Sequence, residues 1–239
     1  MIGPFRLYLF DVDGTLVDSA DDICGAVREA LALARDFWQV REKLQAHLTS
    51  IPEAVRIASE TPGTTILVDA ADATSSGASG DSNAILRGLL EGGYSKRALL
   101  PIVDPHAVAA AMRAGIGATI RVPIGGAMDK RRFQPITLDV KVRMLSDGIY
   151  PAEYSGMFTN AGHTAVLTTD NITLVATSQA VSLTDRSLFL AHGQDSKRFD
   201  AVVVKSPHCR YEFFEEWATR LVNVDAPGST SANLRSLGH

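Results

Sequence analysis

The sequence predicts an α/β fold in which a mixed sheet is layered with helices and carries an antiparallel β-rich insertion at about residues 118–182. Three observations support this fold. Between residues 64 and 114, short apolar runs typical of buried parallel strands alternate with helical segments. Between 118 and 182, strand-like segments are separated by Gly-Gly, Asp-Gly and Asp-Asn turn signals. After residue 200, the alternation of strand and helix returns.

The N-terminal part predicts one strand followed by a long helix. The apolar run Phe5 to Phe10 is typical of a strand buried on both faces, and Asp18-Ser19 would cap the next helix. That helix is expected to reach about Leu48, because apolar residues recur near one face and no Gly or Pro follows Gly25. These apolar residues are Ile23, Val27, Leu31, Ala34, Trp38 and Leu44. A shorter helix, Pro52 to Glu60, opens with proline in its favoured first turn.

The remaining elements follow in a regular order. The first α/β segments are strand Thr64 to Val68, helix Asn83 to Glu91, strand Leu99 to Val103 and helix Pro105 to Ala114. The central strands are 118–124, 136–145, 164–169 and 172–178. The last segments are strand Ala201 to Val204, helix Arg210 to Arg220 and strand Leu221 to Val224. Gly92-Gly93 and Gly115 indicate where two of these helices end, because glycine is common directly after a helix.

Composition limits the classes of function. The chain has 239 residues, of which 46% are hydrophobic and 21% charged, and its net charge is −4. No basic stripe with interleaved aromatic residues is present, so we expect no nucleic-acid partner. The two cysteines, Cys24 and Cys209, are far apart, which is typical of a reducing cytosol rather than a disulfide scaffold or cysteine zinc site. No apolar run approaches membrane-spanning length or forms a secretory signal, so we expect a soluble, cytoplasmic protein without a membrane partner.

Two carboxylates follow the first predicted strand. Asp11 and Asp13 lie at its carboxyl end, where open α/β sheets place their chemistry, and Gly14 allows the chain to turn. With these residues, positions 5–33 resemble the first motif of haloacid dehalogenase (HAD) phosphatases of the phosphoglycolate phosphatase type. The resemblance implies that Asp11 attacks phosphorus, that Asp13 is the general acid, and that both carboxylates hold Mg²⁺.

A phosphatase of this type needs further groups at other strand ends. Thr168 or Thr169 would bind the phosphate, Lys205 would neutralise the aspartyl-phosphate, and Asp225 would help to hold the metal. No second carboxylate accompanies Asp225 in the pattern that the metal motif usually has. The Mg²⁺-dependent phosphatase is therefore an alternative hypothesis.

A second set of segments covers most of the chain. They are Ile66-Leu67-Val68-Asp69-Ala70-Ala71-Asp72, Gly80-Asp81-Ser82, Asp104-Pro105, Ala107-Val108-Ala109-Ala110, Gly117-Ala118-Thr119, Pro123-Ile124-Gly125-Gly126, Leu145-Ser146-Asp147-Gly148, Thr164-Ala165-Val166-Leu167, Val203-Val204-Lys205-Ser206 and Asn223-Val224-Asp225-Ala226-Pro227-Gly228. Through them, residues 35–239 resemble the C-terminal domain of the microcystin-degradation protein MlrC and its metallopeptidase-like relatives.

This resemblance implies a hydrolase-derived α/β domain that forms a surface for a substrate or partner. The family's zinc ligands lie in a large N-terminal domain that has no counterpart here, so zinc is not expected. The predicted domains are an HAD-like strand and helix, 1–34, and the MlrC-like domain, 35–239, joined within one helix. A non-catalytic module that pairs with a separate metal-bearing domain, or with itself as a homo-oligomer, is a third hypothesis.

The loop from Asp69 to Ser82 is the first candidate binding site. It follows a strand and leads into a helix, where unpaired backbone N–H groups and the helix dipole favour a carboxylate or phosphate. Its candidate ligand-binding residues are Asp69, Asp72, Gly77, Gly80, Asp81 and Ser82. Alternatively, Asp81 or Ser82 only caps the helix and the loop is exposed to solvent.

Lys205 and His208 form the second candidate site. They lie between a strand and a predicted helix, where a cation and an imidazole could converge with Ser206 on an anionic group. Alternatively, Lys205 is a solvated strand end and His208 lies near the helix cap. The ligand that either site implies is a small molecule or a peptide-like molecule.

Overall fold

A computed structural model describes residues 20–44, 46–183, 185–207 and 213–237, with the backbone alone for 20–22. The chain divides into two compact units, Met1–Gln45 and Ala46–His239. The predicted strand at residues 5–10 lies outside the described residues, as do the predicted site residues Asp11, Asp13 and His208.

In the first unit, the described residues form one helix, α1, spanning Ala20–Val40. A hydrogen-bonded turn continues it, in which the Leu44 N–H donates to the Val40 carbonyl at 3.2 Å. The helix therefore stops short of the predicted end near Leu48, because the chain becomes extended before its first described strand. It runs without a break through the predicted boundary at 34/35, which stays a prediction.

The second unit contains eleven described strands and four described α-helices. The strands are β1 (Thr49–Ser50), β2 (Thr65–Val68), β3 (Ala98–Val103), β4 (Thr119–Ile124), β5 (Ile136–Ser146), β6 (Ile149–Pro151), β7 (Phe158–Asn160), β8 (Thr164–Thr169), β9 (Ile172–Thr177), β10 (Ala201–Val204) and β11 (Arg220–Asp225). The helices are α2 (Ile51–Glu60), α3 (Ala84–Glu91), α4 (Pro105–Ala114) and α5 (Ser187–Ala191). No helix among the described residues is long and apolar enough to cross a membrane.

Nine of the described strands form one mixed sheet in the order β1-β11-β2-β10-β3-β9-β8-β5-β4. The first six strands in this order, which end with β9, are parallel to one another. The remaining strands β8, β5 and β4 continue the sheet in antiparallel register. β2, β3, β9 and β10 are buried throughout, whereas exposed and buried residues alternate along much of β5. The predicted α/β class and its antiparallel region are confirmed, and the antiparallel strands extend the main sheet.

Two apolar cores lie on the two faces of this sheet. One contains Leu67 with Leu86 and Leu89 of α3 and Val108 of α4. The other contains Ile66, Leu99 and Val202 with the fully buried rings of Phe189 and Phe214. Consecutive residues of a buried strand point to opposite faces, so Ile66 and Leu67 belong to different cores.

The described part of the predicted helix 210–220 is not an α-helix. Residues 213–219 form turns, so this prediction is wrong for them. The N–H groups of Thr219 and Arg220 donate to the Thr64 carbonyl at 2.8 and 3.3 Å, which draws the chain into β11 beside β2. Pairing between distant strands thus overrides the local helical pattern.

The parallel strands bring several predicted polar residues to one edge of the sheet. Asp69, Asp104 and Lys205 follow β2, β3 and β10 directly, and Asp225 ends β11. Helices α2 and α4 begin at the same edge, immediately after β1 and Asp104. This carboxyl edge is where ligands bind in open α/β sheets.

Candidate functional site

Lys205 is the centre of a buried cluster at the carboxyl edge. Its Nζ donates to Asp72 Oδ2 at 2.7 Å and to the carbonyl oxygens of Gly80 and Ser82 at 2.9 and 2.7 Å. The Lys205 and Asp72 side chains are only 4% and 1% exposed. An ammonium group has three N–H donors, and these three bonds use all of them. Lys205 therefore closes the loop 69–82 on itself, rather than projecting into solvent as the alternative expectation held.

The Asp72 carboxylate accepts hydrogen bonds from backbone N–H groups of the loop for which the sequence suggested a bound anion. Its Oδ1 accepts the Gly80 N–H at 2.8 Å, and its Oδ2 accepts the Ser82 N–H at 2.7 Å. Gly80 has a φ of 78°, and a Cβ there would lie 2.5 Å from Val103 Cγ2, so only glycine fits. The structure thus brings together Asp72, Gly80, Ser82 and Lys205, and a role for them in ligand binding stays a prediction.

Asp81 ties the same loop to the segment between β4 and β5. Its Oδ2 accepts the Met128 and Asp129 N–H groups at 2.7 and 3.2 Å. Its backbone carbonyl accepts the Gly126 N–H at 2.9 Å. Asp81 and Ser82 are buried, so the alternative expectation of a solvent-exposed loop is wrong at this end. The side chain of Asp81 therefore fixes the loop and does not cap a helix.

Asn83 is the residue that precedes α3, and its side chain also makes bonds away from the helix. Its Nδ2 donates to the Ile124 carbonyl at 2.8 Å and to the Gln134 carbonyl at 2.9 Å. No side-chain hydrogen bond caps α3 at this residue. The first turn of α3 is thus held in place by the β4–β5 connection.

Asp69 is a buried carboxyl group with an unused acceptor. The residue is 1% exposed, and its Oδ1 has no hydrogen-bond partner. Burial raises the pKa of Asp69 to about 6, against the opposing effect of Lys205 and with a further rise from Asp72. The backbone N–H groups of Ala71 and Asp72 also lower the Asp69 pKa, but neither makes a well-formed capping bond to the carboxylate. Such an orphan oxygen is available to a ligand or an ordered water.

Gly77 lies apart from this cluster. It is exposed, has a φ of 94° and ends a short 3₁₀ turn at Thr74–Ser76. Together with Ser79, Ser229 and the basic run 130–132 it lines a shallow hollow of about 510 Å³. The structure therefore separates Gly77 from the other predicted loop residues.

A larger groove, which no sequence pattern predicted, lies beside α2 and α3. Its volume is about 970 Å³. It is lined by Ile51, Pro52, Val55, Arg56, Ser59, Asn83, Ala84, Arg87, Gly88, Glu91, Gly92, Arg132, Phe133, Gln134 and Pro227. The groove gathers three arginines from three separate elements, and no sequence motif links them. One sequence signal was available: Gly88 of α3 and Gly92, which follows α3, are one turn apart and allow α2 to approach closely.

The arginines of the groove differ in how fully they are paired. Arg56 bonds to both Glu53 and Glu60. Arg87 donates from Nη2 to the Gln134 carbonyl at 3.0 Å and lies 3.8 Å from a Glu91 carboxylate oxygen. Arg132 is paired with Asp129 at 2.8 Å. A guanidinium has five donors, so Arg87 and Arg132 retain donors for an anionic group.

The groups expected for a phosphatase do not converge. β8 is antiparallel to β9, so Thr168 and Thr169 pair with the first residues of β9, at the opposite edge from Lys205 and Asp225. The three donors of Lys205 are already used. Asn233 Nδ2 bonds to both carboxylate oxygens of Asp225, at 3.3 and 3.2 Å. The predicted placement of Thr168 or Thr169 beside Lys205 and Asp225 is therefore wrong.

Within the described ranges, no group of three or more His, Cys, Asp or Glu side chains is arranged to hold a metal ion. Asp11 and Asp13, the predicted Mg²⁺ ligands, and His208 lie outside those ranges.

Comparison with known proteins identifies the family. Residues 67–239, from β2 to the C-terminal residue, match the family described as MlrC C-terminus. The chain belongs to this family. The resemblance of residues 35–239 to this family was predicted from the sequence, and it is confirmed for residues 67–239. Residues 1–66 lie outside the match, so the likeness of residues 5–33 to HAD phosphatases stays a prediction.

Two relatives are longer chains that this chain matches over part of their length. Microcystinase C from Sphingomonas sp is 27% identical over 141 residues, which are 59% of this chain and 28% of the relative. A crystal structure of a candidate metallopeptidase from Mesorhizobium sp. BNC1 is 30% identical, with a TM-score of 0.77 over 84% of this chain and 41% of the other. The chain thus spans less than half the length of either relative.

Proposed function

We propose that this chain is a ligand-binding domain of a metallopeptidase-like hydrolase, and that it holds an anionic, peptide-like ligand in the groove beside α2 and α3. The groove is the observation that carries the proposal. It combines apolar side chains with cationic ones, which is the usual composition of a ligand site, and it is formed by α2 together with part of the family domain.

The charge of the groove supports an anionic ligand. Arg56 is paired with two carboxylates, those of Glu53 and Glu60. Arg87 and Arg132 are each paired with one carboxylate, so the attraction rests on their remaining N–H donors. α2 also begins at the groove, with Ile51 and Pro52 in its wall, and a helix N-terminus favours negative charge. A planar guanidinium binds a carboxylate through two parallel hydrogen bonds.

The apolar wall supports a peptide-like ligand rather than a bare ion. Ile51, Val55, Phe133 and Pro227 line the groove beside the arginines. A small inorganic anion would leave these side chains in water, whereas a peptide would cover them and gain roughly 25 cal/mol for each Å² of apolar surface buried.

We further propose that the metal of the hydrolase is held by residues outside this domain. The resemblance to MlrC implies zinc ligands in an N-terminal domain, and both relatives contain much more chain than is matched here. On this proposal, the domain supplies binding and orientation, and the chemistry depends on another part of the assembled protein.

Titration calorimetry with the acidic peptide acetyl-Glu-Leu-Glu as probe tests the groove. Arg87→Gln and Arg132→Gln should each weaken binding about tenfold, equivalent to about 1.4 kcal/mol. Arg113→Gln is the matched control, because Arg113 is exposed in the last turn of α4 and does not line the groove. Equal affinities for all three variants would exclude the groove as the site.

Metal analysis of the purified chain tests the second part of the proposal. Plasma mass spectrometry after dialysis against a zinc-containing buffer should find well below one zinc per chain. Retention of one zinc per chain, lost on substitution of residues of this domain, would show that the domain holds a metal itself.

A further inference from the structure

Helix α1 presents a wide apolar face that the proposed ligand groove does not involve. Eight large apolar residues of α1 and its terminal turn each expose more than a third of their surface. They are Ile23, Val27, Leu31, Leu33, Phe37, Trp38, Val40 and Leu44. Their exposed area is on the order of 800 Å², which is the area that each partner contributes to a standard stable interface. Patches of this size mark interaction surfaces.

The spacing of the apolar residues indicates that the partner is another helix. Ile23, Ala30, Phe37 and Leu44 recur at intervals of seven, and a strict seven-residue repeat keeps a seam facing a helix of the same repeat. Val27 and Ala34 lie four residues after the first two and widen the same seam. A second α1 has this repeat by identity.

We propose that α1 pairs with α1 of a second copy of this chain, antiparallel, about a two-fold axis between Leu33 and Ala34. A shallow groove on α1 supports a second α1 helix as the partner. Its volume is about 690 Å³, and its lining includes the small residues Ala30 and Ala34 beside the large Leu33 and Phe37. A protruding side chain can fill such a hollow on the other helix, as in knobs-into-holes packing.

In the middle of the helix, the antiparallel register matches large side chains with small ones, and towards the ends it pairs Ile23 with Leu44 and Val27 with Val40. About the proposed axis, Phe37 faces Ala30 of the other copy, and Leu33 faces Ala34. Arg41, which lines the groove, faces Ala26 and so has room. The Arg41 guanidinium lies 4.4 Å from the centroid of the Trp38 ring, and its Nη1 donates to the Trp38 carbonyl at 2.6 Å. Arg41 is thus folded against its own helix.

A parallel pair would not fit as well. Phe37 would meet Phe37 and Ala30 would meet Ala30, which gives crowding at one level and a void at the next. Interiors of proteins are close-packed, and both faults are destabilising. The antiparallel arrangement avoids both.

Apart from Arg41, the charged side chains described for α1 and its terminal turn lie away from the apolar face. Three acidic and three basic residues, with no net charge among them, form the opposite stripe of the helix and would remain in water. They are Arg28, Glu29, Arg35, Asp36, Glu42 and Lys43. Burial of the apolar face of α1 therefore requires no desolvation of these charges.

The mass of the full chain in solution is the first test. Sedimentation equilibrium should give twice the chain's 25.6 kDa at micromolar concentration. Phe37→Glu should shift the chain to monomer, with at least a tenfold weaker dimer. Gln39→Glu, which adds the same charge on the opposite side of α1, should leave the dimer unchanged. A wild-type chain that is monomeric at 100 µM, or equal effects of the two variants, would overturn the proposal.

Cysteine cross-linking tests the register. Ala30 faces residue 37 of the other copy in the antiparallel pair, whereas in a parallel pair it would face Ala30. In a Cys24→Ser, Cys209→Ser background, a mixture of Ala30→Cys and Phe37→Cys chains should give a disulfide-linked dimer under mild oxidation, and Ala30→Cys chains alone should not. Equally efficient cross-linking of Ala30→Cys chains alone would overturn the antiparallel arrangement. Far-UV circular dichroism of each variant confirms that the helices are retained.

Discussion

At the scale of single residues, the buried pair of Lys205 and Asp72 determines the conformation of the loop 69–82. Each partner makes further bonds to the backbone of Gly80 and Ser82, so the pair replaces the hydration that both charges lose on burial. One side chain comes from the end of β10 and the other from the loop after β2, more than a hundred residues apart. The pair therefore joins β10 to the β2 loop at the edge that carries the candidate sites.

Lys205→Met tests this role. It leaves the Asp72 carboxylate buried without its partner, and we expect a loss of about 3–5 kcal/mol in the free energy of unfolding by urea. Arg121→Ala removes the exposed pair with Asp139 and is the matched control, with an expected loss below about 1 kcal/mol. Similar losses for the two variants would show that the buried pair contributes no more than a surface pair.

Asp69 gives the protein a dependence of stability on pH. Its pKa is about 6 in the folded chain and about 3.9 when unfolded, so between these values the folded state binds more protons. Stability contributed by Asp69 is therefore present below pH 4 and is lost as the pH rises through 6. Lys205 and Asp72 are the charged groups that act on it.

Asp69→Asn removes this titration while keeping the shape of the side chain. Relative to wild type, the variant should gain stability between pH 4 and pH 7, by about 1–3 kcal/mol for a shift of about two pKa units. Urea titrations at closely spaced pH values measure the difference. A difference that stays constant with pH would mean that Asp69 titrates normally.

At the scale of elements, helices with strong local signals form where the sequence predicts them. α4 spans the predicted residues: Asp104 accepts the Ala107 N–H at 2.9 Å, Pro105 opens the helix, and Gly115 follows it with a φ of 83°. The predicted helix 210–220 lacks such caps, and its described residues 213–219 form turns beside β11. Local signals are sufficient where no distant strand competes for the same backbone groups.

The packing of α2 on α3 depends on Gly88. A Cβ at this position would overlap Cγ2 of Ile51, so Gly88→Ala should push α2 away and destabilise the second unit by about 1–3 kcal/mol. Gly25→Ala is the control, because a Cβ there has open space and should increase the helix content of α1. Thermal unfolding followed by circular dichroism compares them, and stabilisation by Gly88→Ala would contradict the close packing.

At the scale of the whole molecule, the family domain extends from β2 onward and is built on one mixed sheet. The parallel half gathers the buried cluster at its carboxyl edge, and the antiparallel half directs the end of β8 to the other edge. The residues required for a phosphatase are therefore split between two edges, although each lies at or directly after the end of a strand.

We expect the purified chain to show no Mg²⁺-dependent hydrolysis of p-nitrophenyl phosphate. The reason is that Lys205 is saturated by Asp72, Gly80 and Ser82, and that Thr168 and Thr169 lie at the far edge. A continuous absorbance assay at high protein concentration measures this. Turnover that Mg²⁺ supports and Asp11→Asn abolishes would show that the N-terminal motif is catalytic by another arrangement.

The sequence by itself determined the α/β class, most element positions and the family, because hydrophobic period, caps and glycine breaks act over a few residues. It also placed Asp69 and Lys205 directly after strands, and Asp72 in the loop that follows Val68. Only the tertiary structure decided what these residues contact: strand order and direction set which ends meet, and those depend on pairing between distant segments. Packing of α2 on α3 likewise formed the arginine groove, because Arg56, Arg87 and Arg132 share no local pattern.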